Sequence, residues 1–348
     1  MVKSFDDKFG TFVPAAERGW NRVQAGDSTD STINLRRQNA DYQLEKGLEL
    51  YQIRSFQEAI KSLQKALSLY RSIQDLPGEG RALGALGVLY YALANYPEAI
   101  ACSHQSLAIS RQVLDRLTER QTLANLGNAY RHLEDYNRSV EYNQQSLTVA
   151  QTIEDHRGEM AALNNLGMTY KAMGDTLHAI HCYQRALMIA RSLRDLTTEG
   201  QVLRNLGNAY HAMANYSQTV FCYEQLLTIV RQLPGRESEM QVLKNLASAC
   251  YTLGDNAKAI AYQEQRLALA RAQQDHQTEV QILENLATTY DGLGRHQQAI
   301  FYYEQHLQAV RNLADPLLEQ QSFDMLKTAC YAVGDFARIN QYSTQRSA

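Results

Sequence analysis

The sequence predicts an all-α solenoid of antiparallel helix pairs, and three observations predict it. Leu86-Gly87-Tyr90 returns 40 residues later as Leu126-Gly127-Tyr130, then as Leu166-Gly167-Tyr170 and Leu206-Gly207-Tyr210. Leu246-Ala247-Cys250 and Leu286-Ala287-Tyr290 continue the series without a slip of register. Within each unit the apolar residues recur at three- and four-residue spacing, which is the helical period. Only five prolines interrupt 348 residues, so uninterrupted helices are permitted. A fixed period of this size marks an array in which each unit buries its apolar face against its neighbours. Such an array offers an extended surface and argues against a single catalytic pocket.

In chain order, residues 1–38 are expected to form a flexible segment leading into the first helix. Gly26-Asp27-Ser28-Thr29-Asp30 is its most turn-like stretch, and Trp20, the sole tryptophan, is expected to pack on that helix. Seven 40-residue units are expected over 39–318. The first is marked by Gly47, Phe56, Ala59, Ile60 and Leu67, in register with Gly87, Tyr96, Ala99, Ile100 and Leu107. In the unit 79–118, Leu83, Leu86, Leu89 and Tyr90 define helix A, and Ala94-Asn95 ends it. Tyr96-Pro97-Glu98 opens helix B, with Pro97 where a first-turn proline is tolerated. Ala99, Ile100, Leu107 and Ile109 line helix B, and Leu114-Asp115 closes it. Neither amphipathic helix is stable alone. Gly87, Gly127, Gly167 and Gly207 give way only to Ala247 and Ala287, as close approach of paired helices requires. Gly174, Gly254 and Gly334 suit positions just past a helix end. Residues 319–348, with Leu326, Cys330 and Phe336, read as a degenerate capping helix pair.

Composition narrows the function. A formal net charge of −3 gives no pull toward nucleic acid or anionic membrane. The opening residues have no apolar stretch of the secretory kind, and no window approaches a membrane span of roughly 20 apolar residues. Cys102, Cys182 and Cys222 share one slot of the repeat, and Cys250 and Cys330 share the Tyr slot of the motif. They read as small buried hydrophobes in a reduced, cytoplasmic setting. No phosphate-binding loop, nucleophile elbow or metalloprotease motif occurs, so no cofactor and no enzymatic role is expected. His178 and His181 stand three apart, but Cys182 belongs to the repeat series, so no metal site is read there.

The motif residues, above all Asn125-Leu126-Gly127-Asn128-Ala129-Tyr130 and Asn205-Leu206-Gly207-Asn208-Ala209-Tyr210, resemble tetratricopeptide repeats over about 300 residues. The 40-residue unit resembles the subset found in Pins-type, Leu-Gly-Asn repeat-enriched scaffolds and in kinesin light chain. The resemblance implies a right-handed superhelix and a non-catalytic scaffold or adaptor. It further implies that a peptide segment of another protein binds along a concave groove lined by helix A.

Two polar ladders follow from the register. Glu79, Glu119, Glu159, Glu199, Glu239, Glu279 and Glu319 are placed to begin each helix A. Arg71, Arg111, Arg191, Arg231, Arg271 and Arg311 close helix B, with Gln151 the exception. Each suits the helix dipole and is placed to pair across the inter-repeat turn. The second ladder contains Asn125, Asn165, Asn205, Asn245 and Asn285, flanked by Asn128, Asn208 and the row Gln201, Gln241 and Gln281. Amides donate and accept, so they suit the main chain of an extended peptide; the Asn row is equally placed to bond neighbouring helices. Arg131, Lys171, Arg204, Lys244 and His211 make the middle of this face basic, which favours an acidic ligand segment. Arg204, Asn208 and Asn245 also resemble part of the carboxylate clamp of chaperone-binding relatives. Gln281 and Asn285 stand where that clamp needs cations, so no complete clamp is implied. A regulatory peptide sensor and an assembly factor using the convex face stay open beside the scaffold, as does self-association through terminal helices.

Overall fold

The computed structural model describes residues 28–232, 236–313 and 315–346; Trp20 and the rest of the expected flexible segment before residue 28 lie outside the described residues. The described residues form sixteen helices and no strand. They fall into two compact units, Met1–Asn205 and Leu206–Ala348. The first holds α1 (Ser28–Gln52), α2 (Phe56–Ser72), α3 (Leu76–Ala92), α4 (Tyr96–Gln112), α5 (Arg116–His132), α6 (Tyr136–Thr152), α7 (His156–Ala172) and α8 (Thr176–Ser192). Helix α9 (Leu196–Ala212) contains the boundary. The second unit continues with α10 (Tyr216–Val230), α11 (Arg236–Thr252), α12 (Asn256–Gln273), α13 (His276–Gly292), α14 (His296–Leu313), α15 (Pro316–Val333) and α16 (Phe336–Arg346). Consecutive helices pair antiparallel, as the periodicity predicts.

The chain obeys a shorter period than the motif suggests. A left-handed residue recurs at every twentieth position: Arg54, Gln74, Ala94, Leu114, Glu134, Glu154, Gly174, Arg194 and Ala214. The same turn therefore closes both kinds of helix. The residue after it folds back, as when the Asp115 N–H donates to the Ser110 carbonyl at 2.9 Å. That same Asp115 then caps the next helix, its carboxylate accepting from the Thr118 N–H at 3.0 Å. Asp75, Asp135, Asp155, Asp175, Asp195, Asp255, Asp275 and Asp315 repeat the cap. Helix A thus starts three residues before the glutamate that was expected to open it. An N-cap oxygen satisfies an otherwise orphaned N–H, which a side chain one turn later cannot reach.

The two charged ladders meet. Arg71, Arg111, Arg191, Arg231, Arg271 and Arg311 each donate Nε to the glutamate eight residues on, at 2.7–2.8 Å. In four of them a second guanidinium nitrogen reaches Gln105, Gln145, Gln265 or Gln305 on the next even-numbered helix. The one departure is an exchange. Gln151 donates to Glu159 at 2.9 Å, and Arg185 occupies the glutamine slot with a nitrogen 3.5 Å from the same carboxylate.

Small residues set the depth of packing. A methyl group at Gly127 would lie 2.4 Å from the Asn143 amide, and one at Gly167 would lie 2.5 Å from the Tyr183 ring. The five cysteines are unpaired. Each stands in a slot pair whose other member is tyrosine: Tyr90 with Cys102, Tyr170 with Cys182, Tyr210 with Cys222, Cys250 with Tyr262, Cys330 with Tyr342. Where both slots hold tyrosine, as at Tyr130–Tyr142 and Tyr290–Tyr302, the rings stack with centroids 5.4 and 5.3 Å apart. Cysteine therefore works here as the small partner of a large ring, and burial pushes the Cys182 thiol up. No described helix is long and apolar enough to cross a membrane.

Candidate functional site

In the first unit, successive odd-numbered helices touch one another: α1 meets α3, α3 meets α5, and α5 meets α7. Even-numbered helices pack no such row of comparable extent. The odd helices consequently form the inner wall of that unit. Asn205 ties the middle of α9 to this wall, donating Nδ2 to Oδ1 of Asn164 on α7 at 3.0 Å.

Asn125, Arg131, Asn165, Gln201, Arg204 and Asn205 are half-buried on the wall, and Lys171 is exposed. The side-chain amides of Asn125 and Asn165 have no partner among the described residues. Lys171 and Arg204 have no ion pair there. Partial desolvation by neighbouring protein lowers the pKa of the Lys171 ammonium, although the side chain stays exposed. The Arg131 guanidinium meets Nε2 of His132 at 3.2 Å, and the His132 ring stacks on Tyr96 at 5.1 Å.

Carboxylates are scarce on the same helices. α5, α7 and residues 196–205 of α9 carry only Glu119, Glu159 and Glu199. All three are held by the ladder: Glu119 by Arg111 and Arg116, Glu159 by Gln151 and Arg185, Glu199 by Arg191. Partner hydrogen bonds keep the Glu119 carboxyl below its ordinary value in spite of burial. Along α5, α7 and residues 196–205 the few acids are thus already used, which leaves Lys171 and Arg204 without a carboxylate partner.

Other residues of the expected groove sit differently. Asn128 is only 5 % exposed, so its amide offers little to a surface ligand. The favoured assignment of Asn208 to ligand contact meets a competing bond, because the Tyr223 hydroxyl donates to its Oδ1 at 2.5 Å. Both outcomes follow from the slot below the helix: a tyrosine there reaches the amide, and a short side chain lets it sink. In the second unit, Gln241 donates to Asn245 at 2.9 Å. His211, Lys244, Gln281 and Asn285 are exposed, with no side-chain hydrogen bond or ion pair, and His211 lies edge-on to Tyr216. Sequence reasoning passed over Asn164, although the doubled Asn164-Asn165 was a visible signal. Among the described residues, no group of three His, Cys, Asp or Glu is placed to hold a metal ion.

Profiles of the tetratricopeptide repeat match residues 40–112, 118–192, 198–272 and 282–317. No curated protein matches the chain. Many solved structures share the fold. The apo form of RapI is 13 % identical with a TM-score of 0.56, over 79 % of this chain and 98 % of that one. A signal transduction ATPase with numerous domains and a tetratricopeptide repeat sensor, from Pyrococcus horikoshii, is 16 % identical with a TM-score of 0.57. That match covers 91 % of this chain and 46 % of the ATPase. A Rap protein complexed with Competence and Sporulation Factor is 17 % identical with a TM-score of 0.53, over 82 % of this chain and 80 % of that one.

Proposed function

The chain belongs to the tetratricopeptide-repeat family, a family of protein-interaction scaffolds, and from that premise we propose that it is a non-catalytic adaptor holding an acidic peptide segment of a partner protein on the inner wall of its first unit. One observation carries the reading. Lys171 and Arg204 project from a stretch of wall, α5, α7 and residues 196–205, whose own carboxylates are all engaged, beside the unpartnered amides of Asn125 and Asn165. Amides supply hydrogen bonds to peptide main chain, and the cations select acidic side chains. Unpaired thiols suit a cytoplasmic setting. The reading keeps the seven units at 39–318 as the working array and 319–348 as its closing pair.

Affinity capture from the native cell tests it. Charge reversal by Lys171→Glu with Arg204→Glu is expected to lower retention of the captured protein at least tenfold, because both cations face the ligand. Full retention by the reversed chain sinks the wall as the binding site.

A further inference from the structure

Lys171 and Arg204 lie at different levels of the wall, and what lies between them is apolar. On α7, Asn164, Met168 and Lys171 follow at i, i+4 and i+7, which puts them on one helix face. Arg204 on α9 is the register equivalent of Asn164, seven residues before Lys171. Seven residues are about 10.5 Å along a helix axis. Neighbouring helices lie about 8–10 Å apart, so the Lys171 and Arg204 backbones stand about 14 Å apart on a diagonal. The Asn205–Asn164 bond joins the two helices at the Arg204 end of that diagonal. Met168 stands at its middle level, half-buried. The amide beside it is engaged at both ends: Asn164 accepts from Asn205 through Oδ1 and donates Nδ2 to the Met168 sulfur at 3.6 Å. Between the two cations the wall thus presents a thioether, which packs against apolar side chains of varied shape.

An extended peptide advances about 3.3 Å per residue, and alternate side chains share a face. Four residues therefore cover about 13 Å and return a side chain to the same face. A residue at i, held by one cation, puts i+2 over the middle of the diagonal and i+4 at the other cation. Spacings of three or five residues turn the second carboxylate away from the wall. We propose, resting on the acidic-peptide reading above, that this stretch of wall recognises an extended acid–x–apolar–x–acid segment. Its carboxylates at i and i+4 meet Lys171 and Arg204, and its apolar side chain at i+2 packs on Met168. A helical occupant fits worse, because i and i+4 of a helix are only about 6 Å apart along its axis. Single-stranded nucleic acid needs aromatic platforms between the cations, and Asn164, Asn165 and Met168 stand there instead.

Fluorescence anisotropy of labelled Gly/Ser peptides with the full chain, at low ionic strength, tests the pattern. The parent peptide carries glutamate at i and i+4 and leucine at i+2. Two isomers of the same composition move the leucine to i+1 or the second glutamate to i+3; a glutamine version of the parent is the blank. The parent is expected to bind at least tenfold tighter than either isomer. Met168→Gln is expected to erase its advantage over the leucine isomer while the advantage over the blank persists. Arg204→Gln is expected to erase its advantage over the glutamate isomer. Equal binding of parent and isomers, each above the blank, overturns the pattern while the acidic reading survives. Glutamate peptides no better than the blank overturn both. A leucine preference that persists in Met168→Gln overturns the proposal, because the apolar contact then lies elsewhere. Displacement of the parent by an oligothymidylate of equal charge at the same concentration also overturns it.

Discussion

Two junctions built on the same repeat share a frame of buried leucines, Leu123, Leu126, Leu147, Leu163 and Leu166 in one and Leu283, Leu286, Leu307 and Leu326 in the other, but differ in what fills the slots around it. Between α4 and α7 the buried positions include Ser103, Ser106, Ser110, Thr122, Ser139, Asn143, Ser146 and Thr169. Ser106 donates to the Gly80 carbonyl at 2.8 Å and meets Thr122 at 3.1 Å, while Ser139 meets Thr169 at 2.8 Å. Between α13 and α15 the corresponding interior is Ile282, Leu283, Leu286, Ile300, Tyr303, Leu307, Val310, Phe323 and Leu326. One polar pair interrupts it, His306 Nδ1 with Ser322 Oγ at 2.8 Å. Helix geometry and turn period are shared, so the repeat specifies a backbone and leaves the filling free. A hydroxyl such as that of Thr122 allows close approach of helices but contributes little transfer free energy, whereas the buried Ile282 in the equivalent slot contributes roughly 1.5–3 kcal/mol. The candidate binding wall rests on the junction richer in hydroxyls.

The largest expected effect tests that contrast directly. Ile282→Ala in the apolar junction removes a fully buried side chain and is expected to cost about 2–5 kcal/mol. Thr169→Ala in the hydroxyl junction removes one neutral hydrogen-bonding pair and is expected to cost about 1 kcal/mol. Amide hydrogen exchange reads each loss locally, which suits a repeat array whose unfolding need not be two-state. Equal local losses at the two sites would break the comparison.

The next effect belongs to the apolar junction alone. His306 is fully buried, and burial lowers its pKa from the ordinary 6.5, against a weaker upward pull from Glu284. The neutral ring is therefore the folded form, and unfolding takes up a proton. Stability is full above the unfolded value of about 6.5 and falls as pH drops through it toward the folded pKa, by at most about 1.4 kcal/mol per pH unit. Protection of α13–α15 amides is expected to weaken between pH 6.5 and 5, and His306→Gln to remove that dependence. An unchanged slope in the variant would assign the acid sensitivity elsewhere.

How far the sequence carries the reader differs between fold and site. Leu126-Gly127-Tyr130 and its kin make the helix pairs legible, because a slot that admits only Gly or Ala leaves a mark in every unit. The 20-residue turn period is nearly silent, since its left-handed position accepts Arg54, Gln74, Ala94, Leu114 and Glu134 as well as glycine. Placement of Asn125 and Asn165 on one face is legible from helical spacing. Whether an amide there is free is not, because that depends on a residue 15 or 41 positions away: Tyr223 engages Asn208, and Asn164 engages Asn205.

The smallest effect concerns the exchanged rung of the charged ladder. Elsewhere arginine comes from the end of an even helix and glutamine from the middle of the next; at Glu159 the donors are Gln151 and Arg185. If the carboxylate requires one guanidinium and is indifferent to its origin, the two positions are coupled. Gln151→Arg then crowds two cations on one acid, and Arg185→Gln leaves the acid with amides alone. Each single change is expected to cost up to about 1 kcal/mol, and the double exchange to return to within about 0.5 kcal/mol of the parent. Additive losses in that double-mutant cycle would mean that the rungs are independent. The exchange would then be a difference between the junctions without a physical constraint behind it. Restoration would show the opposite: that variation between junctions is allowed only where the charge on each helix start stays satisfied.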